Sequence, residues 1–307
     1  MIVVQQVLIL FFMIITGFIA KRCKIINNEL NEGMINLVLY VMLPSLILTS
    51  MNFDFSPEML VKSGKILLIS IVIYFIIMLF SFLIPKIVGG EISQKVIYQY
   101  AFIFVNVAYM GYPVVNSVYG KIGVFYTAIF NLPFNLFIWT FGLWILTKDH
   151  EEFKGQVSSF ELKKFINPAI ISVFVGFILF LFSIHLPKMI YDTLGILGGA
   201  TMPLSMIFIG SILADVDSKD ILTDKKALVY SVLRQTLVPL AVLYLLKALG
   251  FTGYMVGIPA VISGMPTAAN TALMASKYKN DYHLASRLVF ISTFVSIFTI
   301  PVIVMLV

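Results

Sequence analysis

Two stretches of the 307-residue chain hold the residue types best suited to hold a ligand, FVNVAYMGYPVVNS at 104–117 and GIPAVISGMPTAANTALMAS at 257–276. Each sets a Gly and a Pro among amides and hydroxyls inside an apolar run. Proline removes a backbone donor and crowds the carbonyl of the turn before it, so we expect each helix to break near its proline. The N-terminus of the half-helix after a break offers unpaired N–H groups and partial positive charge, a setting that suits a carboxylate. Pro113, Asn116, Pro266, Thr267 and Asn270 are therefore the expected binding residues. Asn106 and Ser263, which precede the breaks, are second choices. A single kinked helix with a nearby Asn or Ser is often only packing between helices. Two such helices in corresponding places point to a binding site.

Asn131 and Asn135 flank Pro133 and lie four residues apart, hence on one helix face. Lining the same cavity and bonding to a neighbouring helix are equally open to them. Arg234 stands deep in an apolar run, where it could attract an anion or pair with a helix C-terminus. The length of its side chain favours snorkelling to the cytoplasmic surface. Other chemistries find no foothold. The single cysteine, Cys23, excludes an internal disulfide, and His150, His185 and His283 lack metal-ligand spacing. No phosphate-binding loop, nucleophile triad or paired carboxylates occur within the apolar runs, so neither an enzyme nor a bound cofactor is expected. Asp215 and Asp217 fall at the cytoplasmic end of a run and read as solvated. Coupling to H⁺ or Na⁺ would need neutral oxygens or the substrate's own proton.

The elements that must position these residues follow from composition. Sixty per cent of residues are hydrophobic and 12% charged, far from the balance of a soluble domain. Ten apolar runs, about 3–20, 34–51, 64–84, 97–119, 123–146, 167–184, 189–213, 227–249, 254–276 and 284–306, are each long enough to cross hydrocarbon as a helix. The first lacks a basic leader and a small-residue cleavage site, so it reads as a retained span. Fifteen Lys and Arg fall in the loops after odd-numbered runs and five in the opposite loops, with Arg234 inside a run. That bias puts the odd loops in the cytoplasm and both termini outside. The net charge of +6 is thus a topology signal, and nucleic acid is not an expected partner. The polar stretch 147–166 separates residues 1–146 from 167–307, five runs on each side. An odd number of spans per half inverts the second half relative to the first. Pro44 and Pro203, Pro113 and Pro266, and Pro133 and Pro301 occupy matching runs, separated by 159, 153 and 168 residues.

Several segments resemble the auxin efflux carrier family, with its bacterial malate permease-like and plant PIN-like members. They are SGMPTAANTALMASKY and ASRLVFISTFVSIFTIP near the end of the chain, TMPLSMIFIGSILA at 201–214 and RQTLVP at 234–239. The resemblance implies an all-α polytopic membrane protein of ten helices in a five-plus-five inverted repeat. Helices four and nine would be broken and crossing, as in the NhaA and bile-acid transporter folds. It further implies a scaffold from spans one, two, six and seven, a transport domain from spans three to five and eight to ten, and a crossing at Pro113 and Pro266. Elevator-type movement and homodimers through the scaffold are similarly implied. The short central loop is unlike the long one of many PIN carriers. The functional expectation is a secondary active or facilitative transporter of small organic anions, such as malate or other mono- and dicarboxylates, in the cell membrane. An anion channel and a transporter-derived carboxylate sensor are the alternatives.

Overall fold

The structure is a computed structural model that describes residues 2–149, 167–215 and 224–307. Most of the central stretch 147–166, with His150, and the segment holding Asp217 lie outside the described residues. Thirteen helices carry the argument: α1 (Ile2–Arg22), α2 (Asn28–Ser50), α3 (Pro57–Ser81), α4 (Ile92–Ile103), α5 (Tyr112–Phe130), α6 (Leu132–Phe137), α7 (Pro168–Leu181), α8 (Lys188–Gly199), α9 (Thr201–Asp215), α10 (Lys225–Ala248), α11 (Tyr254–Ser263), α12 (Thr271–Lys277) and α13 (Tyr282–Leu306). Among the described residues there is no strand, only one isolated bridge.

Local chemistry sets where many of these helices start. Asn27, Ser56, Asn167, Asp224 and Asp281 each accept a hydrogen bond from a backbone N–H in the first turn that follows. Each cap satisfies a donor that the helix itself cannot. Prolines follow the cap directly in α3 and α7, where the missing N–H is not needed. In α2 a π-turn at Val38–Met42 precedes Pro44 and lets the helix continue past it. Gly120 interrupts α5 with φ 62° and ψ −158°, a conformation open to glycine. It falls between the fourth and fifth apolar runs of the sequence.

Six helical stretches are long and apolar enough to cross a membrane: Asn28–Ser50, Pro57–Val88, Val107–Thr147, Lys188–Ala214, Lys225–Ala248 and Tyr282–Leu306. Pro168–Leu181 and Tyr254–Ser263 are apolar but shorter. Phe12, Phe75, Phe174, Ile196 and Phe298 are all exposed. So much outward apolar surface suits lipid and not water.

The helices pack as two groups. One gathers α1, α2, α7, α8 and α9, with α1 lying along α9 and α2 against α7 and α8. The other gathers α3 to α6 and α10 to α13, with α10 against α11 and α13 and α3 against α4 and α5. They meet where α5 touches α1, α2 and α9, and where α13 touches α1.

Candidate functional site

The site is built where two helices come apart. α4 ends at Ile103, and Phe104 continues in extended conformation with φ −95° and ψ 111°. α11 ends at Ser263, and the chain passes through Gly264 and Met265 to Pro266. The two extended segments cross and pair antiparallel, with Val105 opposite Thr267. Asn106 N–H donates to the Pro266 carbonyl at 2.8 Å, and Ala268 N–H donates to the Phe104 carbonyl at 3.1 Å. Unwound backbone away from water must find protein partners, and each break supplies them to the other.

A sequence reading centred on Pro113 needs correction here. The first break lies at Phe104–Asn106, and a π-turn at Val107–Gly111 separates it from Pro113. Pro113 sits buried directly after that π-turn, which lets the helix continue past the proline, as at Pro44. Pro266, by contrast, lies in the break itself. The crossing therefore joins Val105 to Thr267 and not Pro113 to Pro266.

Arg234 of α10 fastens the crossing from one side. Its Nη1 donates to the carbonyls of Ser263 at 2.7 Å and Met265 at 2.9 Å, and its Nε to that of Phe102 at 3.3 Å. These carbonyls belong to the C-terminal ends of α4 and α11, which carry partial negative charge and lack helical donors of their own. The side chain is 4% exposed, so it does not snorkel. Pairing with helix C-termini is what it does, and with two of them. A cavity of about 10 Å³, the size that one water fills, adjoins Arg234, Tyr74, Val105 and Ser263.

α13 secures the other flank. Ser292 Oγ accepts from Thr267 N–H at 3.0 Å, while Gln235 Nε2 donates to the Ser292 carbonyl at 2.8 Å. Ser292 and Gln235 escaped the sequence reading, because a Ser or Gln in an apolar run carries no sign of which backbone group it meets.

The remaining candidates divide by what their polar atoms already do. Asn106 is buried, and its Oδ1 accepts from Tyr109 N–H at 3.1 Å, capping the turn after the break. Ser263 Oγ donates to Ala260 O within its own helix, so that residue meets the site through its carbonyl. Asn270 occupies the N-cap position of α12, yet its side chain caps nothing and is exposed. Among the described residues the N–H groups of Ala269 and Asn270 have no acceptor. Thr271, which the sequence reading missed, is buried with an unpartnered Oγ1 next to them. Asn116 lies half-buried on α5, just past Pro113. Asn135 Nδ2 donates to the Asn131 carbonyl at 2.9 Å. Asn131 lies beside Tyr112, its Oδ1 without a hydrogen-bond partner. Between those two, Phe134 packs its ring on that of Phe104 in the first break. No group of His, Cys, Asp and Glu fit to hold a metal occurs among the described residues.

The crossing thus sets a buried cation against two broken helix ends, with open N–H groups beyond them, inside a bundle of long apolar helices. An uncharacterized transporter of Methanocaldococcus jannaschii is 24% identical over 98% of this chain and 97% of its own length. An uncharacterized transporter of Methanothermobacter thermautotrophicus is 25% identical over 97% of this chain and 96% of its own. The profile of the family described as membrane transport protein matches residues 2–304, and the chain therefore belongs to that family, the auxin efflux carriers.

Proposed function

We propose that the protein is a secondary transporter of small organic anions, mono- or dicarboxylates such as malate, working by alternating access in the cell membrane. In this reading the chain crosses the membrane ten times as a five-plus-five inverted repeat with both termini outside. The group α1, α2 and α7 to α9 forms the scaffold, through which two copies pair. The group α3 to α6 and α10 to α13 forms the body that moves as an elevator. The separate packing of the two groups supports this division. Coupling, where it occurs, uses H⁺ or Na⁺ at neutral oxygens, since no carboxylate is buried among the described residues.

The observation that carries the reading is the division of labour at the crossing. Arg234 takes up the carbonyl ends of α4 and α11. What remains open beyond the second break is Asn270, with unpaired backbone donors at Ala269 and Asn270. A carboxylate docked there accepts from those N–H groups and the Asn270 amide, with Thr267 and Asn116 bordering it. A hydrogen bond to a charged group contributes about 1.5–3 kcal/mol. Asn270→Ala is accordingly expected to weaken carboxylate binding roughly tenfold or more. Because Asn270 is exposed and caps nothing, the variant should insert and melt like the parent. Calorimetric titration of the purified variant checks both, and unchanged affinity would remove Asn270 from the site.

A further inference from the structure

At one edge of the bundle the two helix groups meet through aromatic rings. Phe125 of α5 packs on Phe180 of α7 with ring centres 5.2 Å apart, and on Phe53, between α2 and α3, at 6.3 Å. Phe125 and Phe180 are fully buried. At the rim, next to the Gly120 corner of α5, Lys121 Nζ donates to the Tyr191 hydroxyl of α8 and lies 4.6 Å from the centre of that ring. The stretch that carries Phe53 is tied to the corner between α7 and α8. Leu186 N–H donates to Asn52 Oδ1 at 3.0 Å, Phe55 N–H donates to Ser183 Oγ at 2.9 Å, and His185 Nε2 lies 2.9 Å from Asp54 Oδ1. All these residues lie in the loops after the second, fourth and sixth apolar runs or close beside them, on the face that the distribution of Lys and Arg places outside. Asn270 is exposed beyond the crossing, where α12 runs on to Lys277 in the loop after the ninth run.

We infer that the Phe125–Phe180 contact, strapped at the rim by Lys121 and Tyr191, is the outer gate of the carrier, shut in this structure. This rests on the transport reading above. A carrier of that kind uncovers its site to each side in turn, and these contacts join the two groups that must shift against each other. Their chemistry suits a seam that opens and recloses. Ring contacts strand no donor or acceptor when they part, and a cation over an exposed ring is weakly held and regains water on release. The stretch 52–55, tied through two backbone N–H donors, stays with α7 and α8. Weakening the strap therefore shifts the population toward the outward form without touching the ligand.

The test uses the full-length protein with Cys23 replaced by Ser. Spin labels on Lys121→Cys and Tyr191→Cys are expected to report two distances in proteoliposomes, a short one for the shut seam and a longer one for the open seam, in proportions that malate alters. A reducible bis-methanethiosulfonate linker across the same pair should stop malate counterflow, and reductant should restore it, while each single-cysteine protein treated alike keeps exchanging. Lys121 is exposed, so Lys121→Gln should fold. It should lower the half-saturating malate concentration at the outer face by roughly two- to fivefold, the worth of an exposed cation–π contact, and raise it at the inner face. A single unchanging distance, unchanged half-saturation in Lys121→Gln, or counterflow undiminished across the linked pair overturns the gate and leaves the transport reading standing. Failure of the parent to exchange any carboxylate, with both distances still present, overturns the transport reading and leaves a seam that parts.

Discussion

Gly210→Leu is expected to leave little folded protein. α1 and α9 approach so closely that a Cβ on Gly210 would lie 1.9 Å from the Ile14 carbonyl oxygen, and one on Gly17 would lie 2.0 Å from that of Ile207. Both obstacles are backbone, so no rotamer change relieves them. Adding atoms to a well-packed contact costs about 1–3 kcal/mol and more when nothing can shift. Small residues serve membrane helices in this way, since close backbone packing replaces the hydrophobic effect that lipid cannot supply. Gly17→Ala and Gly210→Ala should each lower the melting temperature in detergent, and Gly210→Leu should abolish the monodisperse peak on size exclusion. Gly64→Ala is the control, because nothing lies within 4 Å of its added Cβ. Equal melting of Gly210→Ala and Gly64→Ala would mean that α1 and α9 do not touch as described.

Arg234→Met should cost nearly as much by a different route. The substitution leaves the carbonyls of Phe102, Ser263 and Met265 without their donor in surroundings that offer little water. Leaving a buried acceptor without its donor costs about 1–3 kcal/mol. The loss should be local first. Amide exchange at Asn106 and Ala268, whose N–H groups hold the two segments together, is expected to speed up before the outer helices loosen. A snorkelling arginine would predict a change within about 1 kcal/mol and no effect on those amides.

Much of the fold was legible in the sequence because it depends on local signals. Apolar run length located the long helices, while their starts were left unread although Asn27, Ser56, Asn167, Asp224 and Asp281 fix them through short-range hydrogen bonds. The break in the first crossing helix was misplaced for an equally physical reason. A proline need not break a helix that can adjust, and the π-turn at Val107–Gly111 lets this one run on past Pro113. Asn106, a good capping residue with a β-branched neighbour on each side, was the better marker of where the helix resumes. The role of Arg234 could not be read locally. Depth in the run showed it to be costly, but the carbonyls that repay it come from residues on two other helices. Gly17 and Gly210 were invisible for the same reason, since each glycine matters only through the backbone of a distant helix. Thr271 is the intermediate case. It follows Asn270 directly and lies within the 257–276 stretch, but its hydroxyl was not singled out there.

The central claim is that this bundle carries organic anions through the Val105–Thr267 crossing, and counterflow in proteoliposomes tests it most directly. Purified protein is reconstituted with a panel of labelled mono- and dicarboxylates, with and without proton and sodium gradients. The expected result is saturable exchange of at least one carboxylate, weakened in Asn270→Ala while that variant remains folded. If no organic anion exchanges under any gradient, and none raises the melting temperature of the purified protein, the account is contradicted.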